Sequence, residues 1–416
     1  MTRNLAAMLT LPLKQSENVR AHFPSLARRH NGQSVAYFDS PGGTQIAKAA
    51  IDGMVDYLHC HNANTHWAYP SSEETDAIIA SARSGMANLL NASSDEIVFG
   101  ANMTSLTFRL TRALARRFSP GDEVIVTELD HHANVDPWYE MARDSGMTVL
   151  KARMTPNCEI DYDDLYGKMS ARTRIVAIGA ASNAFGTIND VGAIIAAAKR
   201  FGALTVVDAV HYASHECIDV RQWACDFLLC SSYKFYGPHL GILYGKRDLL
   251  AQLDVPKLLP VSDEPPERWE TGTLNHEGIA GLAKLIDFAE SLSEGATRRE
   301  RLTSTFARFA AQGHAQLQRL WDGILELDNV RVFGLDPSQE RTATLSFEIG
   351  GIPSETVARH LSDDAIFASH GDFYAQTAVR RVSDTGSVVR LGCAWYTTDG
   401  DVERVLRSMH RLCASR

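Results

Sequence analysis

Three polar residues in this chain each follow an apolar run: Asp208 closes LTVVD, Lys234 follows DFLLCSS, and Asn183 follows TRIVAIGAAS. Apolar runs of this length read as buried strands, so each polar group is expected just beyond a strand's carboxyl end, where loops carry functional side chains. A carboxylate at one strand end and a lysine after the next strand suit one chemistry. The carboxylate keeps a pyridine nitrogen protonated, which makes the ring an electron sink, while the lysine amine forms a Schiff base. Those are the demands of pyridoxal 5′-phosphate (PLP). Lysine fits because a desolvated amine near other cations loses its proton readily. Singly the residues mean little, since loop lysines are commonly solvated and strand-end aspartates commonly cap helices. Their combination and spacing carry the reading.

The elements that must position them alternate. Helical periodicity over 75–90, 104–117, 136–145, 161–170 and 190–201 is interleaved with strand-like runs at 96–100, 123–128, 148–153, 173–180, 204–209 and 226–232. Runs such as IVAIGA and LTVVDA are apolar throughout, which predicts an α/β sheet covered by helices on both faces. A Pro-rich and acidic segment, PKLLPVSDEPPERWE at 256–270, breaks this pattern, and helices follow over about 276–325. The remainder reads as strands at 329–334, 342–349 and 388–394 with helices at 353–362 and from Asp399, a smaller α+β unit. The predicted division is an arm at 1–35 against the small domain, a large PLP-binding domain at 36–295 and a small C-terminal domain at 296–416.

At 416 residues with 45% hydrophobic and 22% charged content, the chain is expected to fold around more than one core. A net charge of -9, with no basic cluster interleaved with aromatics, argues against nucleic acid and anionic membranes as partners. No apolar run reaches the roughly 20 residues of a membrane-spanning helix, and the start is too soon polar for a signal peptide. Seven cysteines without a CxxC pair argue against a disulfide framework or zinc ribbon, so reduced thiols and a cytoplasmic location are expected. The ligand types in Leu58-His59-Cys60-His61 crowd too closely on one element to surround a metal ion. No metal is expected.

The segment VVDAVHYASHECIDVRQWACDFLLCSSYKFYGPHLGILYG resembles the core of class V aminotransferase-type PLP enzymes, in particular their cysteine desulfurase and selenocysteine lyase branch. TELDHHANVDPW, ASNAFGT, RWETGTLN and VVRLGCAWYTTDGDVERV resemble further motifs of that family in the right order, from about Tyr37 to the end. The resemblance implies PLP-dependent transferase fold type I, with a mostly parallel seven-stranded sheet, and a homodimer with shared active sites. It makes Lys234 the Schiff-base lysine, Asp208 the pyridinium partner, His131 the ring stacked on the cofactor, and His211 and Asn183 neighbours of the cofactor's oxygen. Met103 and Thr104, which begin the helix after FGAN, would hold the phosphate with Ser231, and Thr273 would reach in from the second subunit. Arg390 would grip the substrate α-carboxylate as a planar fork, with Asn183 and His370 beside it.

The chain departs from that family at the loop that carries the persulfide cysteine. The corresponding stretch, IFASHGDFYA at 366–375, has Ser369 in place of arginine and Tyr374 in place of cysteine. A phenol with a pKa of about 10 cannot accept sulfane sulfur as a thiolate does. Tyr233 likewise replaces the histidine that usually precedes the lysine and could donate to the phosphate or to a leaving group, as Tyr374 could as a general acid. Cys60, in LHCHNANTHW, is the remaining thiol candidate, since the resemblance makes that region an amino-terminal active-site loop. The expected function is therefore a C–S lyase: Lys234 removes the Cα proton, a sulfur substituent leaves Cβ, and hydrolysis yields pyruvate and ammonia. An aminotransferase or epimerase is the alternative within the family, and a non-catalytic PLP-fold binding protein the alternative outside it.

Overall fold

The computed structural model describes residues 19–414. The large sheet contains β1 (Ile97–Gly100), β2 (Glu123–Thr127), β3 (Thr148–Ala152), β4 (Thr173–Gly179), β5 (Leu204–Asp208), β6 (Phe227–Ser231) and β7 (Gly241–Gly245), in spatial order β1-β7-β6-β5-β4-β2-β3. Only β7 runs antiparallel to its neighbours β1 and β6. β7 is absent from the strand reading of the sequence: GILYG is five residues long with a glycine at each end, and follows β6 closely. Every residue of β5 but Leu204 and every residue of β6 is buried, as expected for strands covered on both faces. The cover comes from helices including α1 (Lys48–Asp56), α2 (Pro70–Leu90), α3 (Met103–Ala115), α4 (Asp136–Ser145) and α5 (Val191–Lys199).

Beyond α6 (His276–Ser291) and the long α7 (Arg298–Leu325), a second sheet is built from β8 (Val330–Phe333), β9 (Thr344–Ile349), β10 (Ser369–Gly371) and β11 (Val388–Gly392). Its order is β8-β9-β11-β10, and all its pairs are antiparallel. The alternation along β11 is decisive for the site. Val389 and Leu391 join the apolar cluster beneath α7, α8 (Ser354–Asp363) and the terminal helix α10 (Asp399–Ala414), whereas Val388 joins the cluster of the large sheet. Arg390, two residues after Val388, therefore faces the large sheet.

The first part of the proposed arm, residues 1–18, lies outside the described residues. Phe23 lies edge-on to Tyr236, Phe288 and Tyr396, and Arg20 pairs with Asp401 at 2.7 Å, so residues 20–23 sit between α6 and the start of α10. The short strand Ala36–Tyr37 pairs in parallel with Ile366–Phe367. The pairs at 366–371 and the helix α9 (Gln376–Val382) are also missing from the sequence reading, being two- to seven-residue elements too short for a clear period. No helix among the described residues is long and apolar enough to cross a membrane. Among the described residues no disulfide links any of the seven cysteines, and no group of three or more ligand-type residues stands ready for a metal.

Candidate active site

Sheet order brings the predicted residues together, because β6, β5, β4 and β2 are successive neighbours in one parallel run. Asp208 is the last residue of β5, Lys234 ends the single turn Ser232–Lys234 after β6, and Asn183 and His131 lie in the loops after β4 and β2. Asp208 is buried, with Oδ1 accepting the Val210 N–H at 2.9 Å. Burial pushes its pKa up to about 6, against the pull of that hydrogen bond and of Lys234. The amine of Lys234 donates to the carbonyls of Pro41 (2.6 Å) and Gly42 (3.0 Å) and lies 5.1 Å from the Tyr233 ring centroid. Burial, reinforced by the Arg390 charge, lowers it to about 7 against the opposing pull of Asp208 and Asp39. Lysine at that value is a usable base at neutral pH.

His131 is held in place by the Ala133 N–H, which donates to its Nδ1 at 2.9 Å, and burial lowers its pKa to about 4. His211 is buried and held well below its ordinary value; its Nε2 meets the hydroxyls of Thr342 and Thr344, each at 3.0 Å. Its Nδ1, and Oδ1 of Asn183, are buried polar atoms without a hydrogen-bond partner. Such orphans call for an explanation, and a bound polar ligand supplies one. With an amine of lowered pKa and a buried strand-end carboxylate beside them, these residues fit PLP.

At the other end, Asn102 caps α3 by accepting the Ser105 N–H at 2.9 Å, and the Met103 N–H donates to Oγ of Ser231 at 3.0 Å. The amide of Met103 is thus engaged by Ser231, and its buried side chain lies with Sδ 3.6 Å from the Thr107 hydroxyl, so Met103 contributes packing here rather than a free donor. Thr104 is exposed in the first turn, where helix amides and dipole favour an anion. Gly241 is required nearby: a Cβ there would lie 2.4 Å from the Asn102 carbonyl carbon. Thr273 stands exposed on the loop before the cap Asn275. That loop is anchored by Glu270, which pairs with Arg83 through both oxygens (2.8 and 3.0 Å) and accepts the Phe99 N–H.

Arg390 is only 2% exposed, and burial lowers it to about 9. One nitrogen donates to the Asn183 carbonyl at 2.8 Å, Nε has no partner, and the guanidinium carbon lies 3.8 Å from the centroid of the Phe373 ring. The Phe373 carbonyl accepts from Nδ2 of Asn183 at 2.9 Å, and the Tyr374 ring, 74% exposed, lies 5.6 Å from that of His131. Tyr374 thus lies beside His131. His370 pairs across the sheet with Val389, on the face opposite Arg390, towards Glu355 of α8. The residue on the Arg390 face is Ser369, its cross-strand partner, and the substrate-binding expectation for His370 is corrected accordingly. Tyr233 stacks on His239 at 4.9 Å. Cys60 is exposed on the single π-turn Tyr57–His61.

Three residues of the site escaped the sequence reading. Asp39 carries a buried, partnerless Oδ1 and is pushed up to about 6 by burial, within reach of the charges of Arg390 and Lys234. Asp130 accepts the Gly179 N–H at 2.9 Å and is raised to about 7 by burial and by Asp208. Phe373 covers Arg390. A carboxylate closing an apolar strand was the available signal for Asp39 in YFDSPGG; nothing local marks Phe373.

Fold and site define a PLP-dependent enzyme of fold type I. The chain belongs to the aminotransferase class-V family, whose model matches residues 36–405. Within it the chain is cysteine desulfurase-like: it is 31% identical to a cysteine desulfurase of Serratia proteamaculans over 95% of this chain and 98% of that protein. It is 30% identical to a cysteine desulfurase of Pectobacterium carotovorum over 96% and 99%. The cysteine desulfurase structure from Thermococcus onnurineus superposes with a TM-score of 0.87 at 27% identity, covering 96% of this chain and 98% of that one. A cysteine desulfurase structure from Escherichia coli gives 0.84 at 25%, covering 95% and 98%.

Proposed function

We propose that the protein is a C–S lyase that converts an S-substituted cysteine and water into pyruvate, ammonia and the free thiol. The observation that carries this reading is Tyr374 beside His131 in a loop that bears no cysteine, where persulfide transfer has no acceptor. The sulfur must then leave with its substituent, as a thiol protonated by an acid. The Tyr374 phenol is that acid.

In this reading PLP is carried on Lys234 and supplies an electron sink for the pair left at Cα. Arg390 and Asn183 hold the α-carboxylate, fixing the Cα–H bond relative to Lys234. Lys234, poised near neutrality, takes the Cα proton; Asp208 would keep the ring nitrogen charged and His131 would lie against the ring. His211 and Asn183 would find polar partners for their orphan atoms on the bound cofactor and substrate, and Thr104 with Ser231 would hold the phosphate. We place the large domain at 36–295 and the small one at 296–416. A homodimer supplies Thr273 across the interface; the exposed Val55, Leu58, Trp67 and Tyr69, on and after α1, support such a contact. The absence of any disulfide among the described residues supports a reducing, cytoplasmic setting.

The test is to mix PLP-loaded protein with cysteine, cysteine conjugates, cysteine sulfoxides and plain amino acids, then quantify pyruvate, thiol and keto acids. Pyruvate with stoichiometric thiol supports the lyase. A keto acid retaining the whole substrate skeleton, with conversion of the cofactor to its amine form, would establish an aminotransferase instead.

A further inference from the structure

The amine of Lys234 does not point into open space. It is held by two backbone carbonyls of the turn Asp39–Gly43, 2.6 Å from Pro41 O and 3.0 Å from Gly42 O. Two carbonyls at such distances are acceptors for an ammonium, which carries donors and no acceptor. The turn is tied down on several sides. The amides of Gly42 and Gly43 both donate to the Asp39 carbonyl, the Thr44 N–H and hydroxyl both meet the Tyr233 carbonyl, and Asp39 bridges to Gly392, the last residue of β11. A Cβ on Gly42 would come within 3.5 Å of an Arg390 nitrogen, and one on Gly43 within 3.2 Å of the Tyr233 ring. The same turn therefore lies against the lysine that carries the cofactor and the arginine proposed to hold the substrate carboxylate. Its one charged side chain, Asp39, has a buried oxygen with no hydrogen-bond partner.

We propose that the turn Asp39–Gly42 is a dock for the free amine of Lys234, occupied whenever substrate has displaced that amine from the cofactor, and that Asp39 is a positioning residue acting through this amine and Arg390. The proposal rests on Lys234 being the cofactor lysine. The dock answers a need of that chemistry: an amine released beside the reacting Cα must be kept within reach, and two fixed carbonyls do so without covalent cost. The groups that bear on it are Asp208 from the end of β5, Arg390 from β11, His131 from the loop after β2, His211 after β5, the adjoining Tyr233 ring and Asp39. The two carboxylates favour the ammonium, Arg390 opposes it, and the two histidines are neutral above their lowered values. Asp208, and after it Asp39, thus keep the lysine protonated to a higher pH than burial and Arg390 alone would allow.

The test uses the full chain freed of cofactor. The rate of PLP uptake is followed by absorbance from pH 5.5 to 9.5 for the wild type, Asp39→Asn, Asp39→Ser and Lys234→Ala, with borohydride reduction and mass analysis to count covalently fixed cofactor. Uptake requires the neutral amine, so the wild-type rate should rise with a midpoint near 7. Removing the Asp39 charge should lower that midpoint by about one pH unit, making uptake at pH 6 several-fold faster. Either neutral variant suffices if the other fails to fold. A midpoint unchanged in the folded neutral variants overturns the dock. Covalently fixed cofactor persisting in Lys234→Ala overturns the lysine assignment instead, and the two failures are read on separate measurements.

Discussion

The guanidinium carbon of Arg390 lies over the ring of Phe373, 3.8 Å from its centroid, while the Phe373 carbonyl accepts from Asn183 and the Asn183 carbonyl accepts from Arg390. The three residues close a cycle that leaves one edge of the guanidinium to be satisfied, since Nε has no partner. A carboxylate binds such a fork edge-on, in its plane, so a ring on its face can remain in place. Phe373 and Tyr374 both hold φ of 56°, a conformation uncommon for residues with side chains, and it persists because these contacts fix the loop.

Phe373→Ala should therefore loosen the fork and leave the chemistry intact. A cation–π contact is worth about 1 kcal/mol where one side of the pair stays open, as the exposed loop of Tyr374 leaves it here. KM is expected to rise about fivefold with kcat within twofold, and Phe373→Tyr should restore it; steady-state kinetics on any accepted substrate decide. A fall in kcat with KM unchanged would mean that the ring acts at the reacting atoms.

The Glu270–Arg83 pair offers a prediction about stability. Both side chains are buried, the contact is bidentate, and Glu270 also receives the Phe99 N–H. Glu270→Ala leaves the Arg83 charge buried without its partner, a loss of about 3 kcal/mol. Thermal melting of the holoenzyme should show a midpoint lower by several degrees. Glu270→Gln, which keeps acceptors for Arg83 and Phe99, should lose less.

How far the sequence reached follows from what each residue depends on. Asp208, Lys234 and Asn183 were legible because burial on both faces makes β4, β5 and β6 continuous apolar runs, and the first polar groups beyond them stand out. Arg390 and His370 could not be sorted by the same means. Which face a strand residue takes depends on register, and a shift of one residue reverses it. Only the pairing of Ser369 with Arg390 and of His370 with Val389 decides the matter. Asp39 and Phe373 act through residues far away in the chain, and no local period encodes such contacts.

Tyr374→Phe tests the acid assigned to the leaving group. General acid catalysis contributes on the order of 100-fold, most for a poor leaving group that needs the proton and least for a thiol that departs as its anion. Across a series of cysteine conjugates the loss in kcat should grow with the pKa of the departing thiol. A uniform loss across the series would remove Tyr374 from that role.

The pH dependence of turnover follows from Lys234. Its value of about 7 in the folded protein lies well below that of an ordinary lysine, so above pH 7 the amine is neutral and accepts the Cα proton, and below pH 7 it is charged and does not. kcat should fall tenfold per pH unit on the acid side, with a midpoint near 7. His131, lowered to about 4, stays neutral throughout that window and cannot set this limb. His131→Asn should thus reduce the rate and leave the midpoint in place, whereas Arg390→Gln, which removes the cation that lowers the lysine, should move it upward. A midpoint that follows His131 instead would transfer the role of base to the histidine.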